Sequence, residues 1–301
     1  MSTLQTTTST GKSSLSPNPG DTYFETDTKN IIVYDGSNWR GYQYDQAAIP
    51  AISNSYNLSF DGTGDIVNVG NISSLLSTTT NSVSIWFKLD SSTATDPYHL
   101  FGLDNGSASS RGIMILKTYD SGNAKHNIDF SVYDDDSGSS YLYQSIRCEI
   151  TPDTTWHHVV ATHYIDPANA SNNRLKVYYD GQELTPYSSP SNGTLNALAK
   201  PALNYSIGAR NTTSPARVLV GDIDEVAFWN VELDSDNAIQ LYNSFGGEKP
   251  FDLSSDSGDY NQSANLQGWW RFEEGSGSTA SDETGNSDGT ISAAQFVSNT
   301  L

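Results

Sequence analysis

Residues 219–243, LVGDIDEVAFWNVELDSDNAIQLYN, decide how the chain is read. In the first half Asp222, Asp224 and Glu225 crowd between Gly221 and Val226, ahead of an apolar run. The second half changes period. Asp234 or Ser235 stands where an N-cap accepts backbone N–H groups, and Ile239 and Tyr242 fall on one helical face. This is the only helical pattern in the chain, and it is short. Three acids so close together invite a catalytic reading. Retaining glycoside hydrolysis needs two carboxyls about 5–5.5 Å apart, which an E-x-D-x-x-E pattern on one strand supplies. Laid on this stretch, Asp222 and Asp224 take the first two places and the last falls on Ala227. One required carboxylate is missing.

Around this stretch the periodicity is that of strands. In SVSIWFKLD, residues 82–90, Val83, Ile85, Phe87 and Leu89 point one way, and Ser84, Trp86 and Lys88 the other. In NRLKVYYDGQEL, residues 173–184, Leu175, Val177 and Tyr179 share a face before an Asp180-Gly181 hairpin turn. TWHHVVATHY, residues 155–164, is apolar on both faces through its middle, as a central strand is. His157 and His163 share a face of that strand but stand about 20 Å apart at ~3.3 Å per residue, so they cannot share an ion. They read as ordinary strand histidines. Many strands, polar loops and one short helix predict an all-β, antiparallel sandwich.

Composition narrows the function. The 301 residues suit one large all-β domain with a remainder, and 6 Trp, 17 Tyr and 10 Phe argue against disorder. Fifteen Lys and Arg against 35 Asp and Glu give a formal charge of −20, which repels phosphate backbones and excludes nucleic acid as a partner. No run is long and apolar enough for a membrane span, and the N-terminus has no apolar core of a signal peptide. Cys148 is the single cysteine and reads as a small buried hydrophobe.

Three segments follow. Residues 1–20 form a Ser/Thr-rich arm with no face to bury. Residues 21–50 form a small β-meander and a linker: Tyr23 opens one strand, Ile31 to Tyr34 form another, and Asp35-Gly36 turns the chain toward Trp39. A meander this small is not stable alone. Its apolar set, Tyr23, Ile32, Tyr34 and Trp39, is therefore the candidate attachment surface, and three copies around an axis would pool it into one core. Residues 51–301 hold the remaining strand signals.

Residues 219–243 resemble the closing segment of laminin-G-like, concanavalin A-type jelly-roll domains: a Gly-x-Ile-Asp-Glu-Val strand, an apolar-aromatic pair, and a short helix ending in Leu-Tyr-Asn. LSFDGTGDIVNV (residues 58–69), SVSIWFKLD, TTWHHVVATH, LKVYYDGQEL and YSIGAR (residues 205–210) are similar to that family's other landmarks, in its order. The resemblance covers about residues 55–295 and implies a jelly roll. WRFEEGSG, DETGN and DGT, residues 270–290, resemble a segment that in the family comes before the FDG strand, which implies a circularly permuted domain. Trp269 to Phe272 should then form a strand beside LSFDG, with Trp269 or Trp270 plugging the core. The family's rim cation implies a Ca²⁺ site at Asp224, Asp282 and Asn286, with Asp61 and Asp65 as second choices. The alternative, that these acids only make turns, stays open. Trp86 and Tyr178, on the expected outer faces, are candidate glycan platforms.

GDTYFETDTKNIIVYDGSNWR, residues 20–40, resembles a small module of bacteriophage tail-fibre and other virion proteins. That likeness implies a non-enzymatic structural protein of a tailed phage particle, assembled in the bacterial cytoplasm. Its partners would be other virion proteins and copies of itself, a trimer by preference. A module binding host surface glycans is the alternative, and a glycoside hydrolase the weakest reading.

Overall fold

Val83, Ile85, Phe87 and Leu89 all lie in one apolar core. The alternation read from residues 82–90 is that of a strand in the middle of a sheet. In the computed structural model the chain divides into two units, residues 1–49 and residues 50–301. Residues 5–7, 15–16, 22–25, 30–34, 37, 39–43, 52–106, 111–134, 142–243 and 252–298 are described. The expected Asp35-Gly36 turn and most of the linker lie outside them.

The first unit holds a four-stranded sheet in chain order, β1 (Gln5–Thr7), β2 (Thr22–Glu25), β3 (Asn30–Tyr34) and β4 (Trp39–Gln43). The last three make the expected antiparallel meander, with Tyr23 opposite Ile32 and Tyr34 opposite Trp39. The arm departs from expectation, since β1 runs parallel to β2.

The second unit is a sandwich of two antiparallel sheets. One has the order β11 (Leu142–Ile150), β10 (Lys125–Asp134), β9 (Arg111–Asp120), β8 (Tyr98–Asp104), β15 (Tyr205–Ile207), β6 (Ile66–Gly70), β19 (Gly289–Ser292) and β18 (Thr279–Ala280). The other runs β14 (Gln182–Glu183), β13 (Arg174–Tyr179), β12 (Trp156–Tyr164), β7 (Thr80–Leu89), β16 (Val220–Trp229), β5 (Tyr56–Asp61) and β20 (Gln295–Ser298). Ile128, Phe130 and Val132 of β10 meet Phe87, Val159 and Val177 of the facing sheet in the core. Cys148 is buried there, and burial pushes its thiol up to about 12, as a packing residue's would be. Gly208 is required where it stands: its φ is +78°, and a Cβ would meet the Phe60 ring at 2.0 Å.

The end of the chain is part of this sandwich. Strand β19 pairs with β6, and β20 with β5. Trp270 plugs the core while Trp269 is buried outside it. The strand expected beside LSFDG, β17 (Leu266–Trp270), instead pairs with β16, Trp270 opposite Val226. Strands β5 and β17 follow one another along the same side of β16: β5 pairs with residues 220–223 and β17 with residues 226–229. Between them β16 carries a bulge, with Glu225 at a left-handed φ of 47°.

Helix α1 (Ser235–Asn243) forms where its pattern predicts, with Asp234 as its cap: Asp234 Oδ1 accepts the Asn237 N–H at 2.9 Å. Its buried positions are Asn237, Ala238 and Leu241, whereas Ile239 is exposed. Among the described residues no helix is long and apolar enough to cross a membrane.

Two predictions follow from this packing. Removing residues 265–301 strips β17, β18, β19 and β20 from the two sheets and takes Trp270 and Phe272 from the core, so the truncated protein should aggregate; a soluble product with unchanged melting would refute the arrangement. His163 is wholly buried, and burial holds its imidazole down to about 3. A depressed histidine contributes stability above its unfolded pKa and loses it as pH falls below that value. Wild type should therefore lose about 1.4 kcal/mol per pH unit below ~6.5 relative to His163→Gln, measured by denaturant unfolding from pH 7 to 5.

Candidate functional site

The outer face is closed at Trp86 of β7 and at Tyr178 of β13. Trp86 is only 5% exposed and Tyr178 1%. Trp86 stacks on His158 at 4.8 Å and on Tyr242 of α1 at 5.9 Å. Neither aromatic is exposed enough to be a platform for a sugar, and Tyr242 of the helix lies over Trp86.

The carboxylates of β16 are likewise occupied. Asp222 meets Lys88 at 2.7 Å. Asp224 is wholly buried and accepts from Asn54 Nδ2 at 3.1 Å. Glu225 accepts from Trp269 Nε1 at 2.7 Å and from Arg271 Nε at 3.1 Å. Burial pushes both carboxyls up, the Glu225 charge adding to it at Asp224 and Arg271 opposing it at Glu225. With Ala227 in the third place, the strand offers no accessible carboxylate pair for glycoside hydrolysis.

The calcium candidates have hydrogen-bond partners within the protein. Asp282 Oδ1 accepts the N–H groups of Trp269 and Thr284, and Oδ2 those of Asn286 and Ser287, at 2.9–3.2 Å. The Asn286 side chain points its amide at the Gln267 carbonyl, 3.0 Å away. Asp65 accepts the Asp61 N–H at 2.5 Å, and Asp61 the Thr63 N–H at 2.8 Å. In the structure Asp61, Asp65 and Asp282 accept backbone N–H groups as turn-forming acids do. Among the described residues no three His, Cys, Asp or Glu side chains gather where a metal could be held.

Of the attachment set in the first unit, Tyr23 is buried and Tyr34 half-buried. Ile32 and Trp39 are their register partners on the neighbouring strands.

A different group stands out at the rim of the β8–β9 side. Asp104 ends β8 with its carboxylate fully buried, and three arginines surround it. Arg210 Nε lies 2.8 Å from Oδ2, Arg111 Nε 3.6 Å from Oδ1, and Arg217 Nη1 3.8 Å from Oδ2. Burial would raise Asp104, but the Gly106 N–H and Arg210 outweigh it and hold the carboxyl below its ordinary value. Arg217 is held below its ordinary value by burial and then by the like charge of Arg210. Backbone hydrogen bonds between Arg210 and Ala216, at 2.8 and 3.3 Å, close a hairpin that brings Arg210 and Arg217 to one place. Arg217 sits at a left-handed φ of 53°, and its carbonyl accepts the His99 N–H at 2.8 Å.

Beside them lies a cavity of about 280 Å³, lined by Asp96, Pro97, Tyr98, Arg217, Val218 and Val220. That is close to the ~300 Å³ lower end of small-ligand sites. Apolar walls with one aromatic, one cation and one carboxylate can orient a small polar molecule. None of the three arginines carries a motif. The one cue in the sequence is ARNTTSPAR, residues 209–217, a polar loop with an arginine at each end.

Residues 61–238 match the family model described as the Concanavalin A-like lectin/glucanases superfamily. No curated protein matches the chain. Among solved structures the chain is similar to a Bacteroides ovatus protein named for an inferred carbohydrate-binding role. The two share 13% identity over 97% of this chain and 72% of that one, with a TM-score of 0.56. It is also similar to the CBM40 of the Ruminococcus gnavus IT-sialidase, solved with α2,3 sialyllactose: 13% identity, 63% of this chain, 97% of that one, TM-score 0.41. The NanB sialidase of Streptococcus pneumoniae gives 20% identity over 63% of this chain and 27% of its own, TM-score 0.41. At such identities the likeness is one of fold.

Because Asp282 draws four backbone N–H groups and the Thr284 hydroxyl onto one carboxylate, Asp282→Ala should cost about 2–4 kcal/mol. Chemical denaturation should give the same loss in calcium and in chelator. A loss seen only with calcium would place an ion at this loop.

Proposed function

The chain belongs to the concanavalin A-like lectin/glucanases superfamily, and from that premise we propose that residues 50–301 form a non-catalytic saccharide-binding domain. The observation that carries this reading is the rim cavity, where Tyr98 and Arg217 border about 280 Å³ of open space. The acids that a hydrolase would need are instead closed off, Asp222 by Lys88 and Asp224 by burial. Residues 1–49 serve attachment in this account. Their likeness to a phage tail-fibre module supports a place on a tailed phage particle, assembled in the host cytoplasm, with other virion proteins and copies of the same chain as partners. A trimer suits the pooling of Tyr23, Ile32, Tyr34 and Trp39.

Both halves can be tested together. The full chain on a glycan array should bind a restricted set of glycans and release no product from them. A version starting at Ala51, supplied to phage lacking the protein, should keep the array pattern yet stay absent from purified particles. An empty array would refute the binding function, and normal incorporation of the shortened version would move the anchor into the sandwich.

A further inference from the structure

The chain has 5 histidines, and all but one are held toward the neutral form. Burial holds His99 down to about 4 and His158 and His163 down to about 3, and it lowers the half-buried His126 as well. His157 is the exception. It lies near the start of β12 with its side chain 12% exposed, and both of its ring nitrogens meet carboxylates. Nδ1 lies 2.8 Å from Asp180 Oδ2, and Nε2 lies 3.1 Å from Asp153 Oδ1. A neutral imidazole has one N–H and one lone pair, so it can donate to only one acceptor. Two ionised carboxylates require the doubly protonated ring. Burial opposes a second proton, but the hydrogen bonds and charges of Asp180 and Asp153 outweigh it and raise His157 above its ordinary 6.5. Asp153 keeps its charge, because Thr155 and then the ring hold it below its ordinary value.

The two carboxylates belong to separate segments. Asp153 stands in the loop between β11 and β12, and Asp180 in the turn between β13 and β14. Their anchoring differs. Asp180 is bound independently of the ring: its Oδ1 accepts the His158 N–H at 2.8 Å, and its own N–H donates to the His158 carbonyl at 2.9 Å. Asp153 is 53% exposed, and it also accepts from Thr155 within its own loop. Loss of one proton therefore leaves Nδ1–H on Asp180 and sets the Nε2 lone pair against the Asp153 carboxylate. We propose that His157 is a proton-operated clamp, closed while the ring is doubly protonated and releasing the 151–155 loop from the β13–β14 turn when it is not. A raised imidazole contributes stability that is complete below 6.5 and is lost as pH rises through the folded value. The other groups around the ring keep their charge state. Tyr179 of β13 stacks on it at 4.8 Å, and Tyr242 of α1 borders Gly181 of the turn; burial first, then Asp180, pushes both hydroxyls up. Phe87 of β7 is uncharged, and Lys88 beside it is paired with Asp222.

The test is nitrogen NMR of the isotope-labelled full chain from about pH 6 to about pH 9. It is read at the His157 ring itself, because Lys117, which burial pushes down to about 8, titrates in the same window. His157 should titrate above 6.5 and keep its remaining proton on Nδ1, and the backbone order parameters of residues 151–155 should fall as it does. Asp153→Asn should lower the midpoint. Its amide can donate to the Nε2 lone pair, so the loop should then stay ordered at alkaline pH. If that variant fails to fold, His157→Gln should abolish the pH dependence of loop order. A midpoint at or below 6.5, loop order unchanged through the titration, or a proton retained on Nε2 would each overturn the clamp.

Discussion

The sandwich depends on one buried contact, the Glu225 carboxylate held between Trp269 Nε1 and Arg271 Nε. It sits at the bulge of β16, where the neighbouring strand changes from β5 to β17. Three distant parts of the chain meet there. Arg271 also donates to the Ser53 carbonyl, Glu273 accepts the Ser55 and Tyr56 N–H groups, and Asn54 donates to Asp224. The start of β5, the middle of β16 and the end of β17 are thereby fixed to one another. A bulge supplies what a regular ladder could not: it turns two consecutive acids, Asp224 and Glu225, into the gap between two end-to-end strands. Removing one partner of such a buried pair costs about 3–5 kcal/mol, because the other charge is left without compensation.

That contact also explains why the most suggestive motif in the sequence is not the site. Three acids in four positions read as chemistry, yet each is committed to holding β16 in place. Asp222 fixes Lys88 across the strand pair, Asp224 ties down Asn54, and Glu225 closes the junction. A carboxylate is costly to bury without partners, so a buried acid that has them marks a structural joint as readily as a catalytic one.

The legible part of the fold was whatever local periodicity encodes. The alternation of Val83, Ile85, Phe87 and Leu89 and the cap at Asp234 follow from positions a few residues apart, while the plug by one of Trp269 and Trp270 came from the family resemblance. The illegible part was whatever distant segments decide. Trp86 sits on the face opposite the core, but the sequence cannot announce that Tyr242, far along the chain, will cover it. Strand β17 was placed beside β5 because a shared neighbour looks the same as a shared edge until register is known. The arginine cluster had no signature at all, since Arg111, Arg210 and Arg217 come from a strand end and the two ends of a loop.

Asp104 gives that cluster its form. Three guanidinium groups would repel one another, and Arg210 already holds Arg217 below its ordinary value. One fully buried carboxylate lowers that repulsion enough to keep all three within 4 Å, while the hairpin closed by Arg210 and Ala216 sets the spacing of two of them. The left-handed backbone at Arg217 is the strain that accompanies this placement, sustained by its carbonyl's bond to His99. The junction at Glu225 and the rim at Asp104 thus use one device in opposite proportions. At Glu225 the carboxylate has one cation and a tryptophan; at Asp104 one carboxylate gathers three cations.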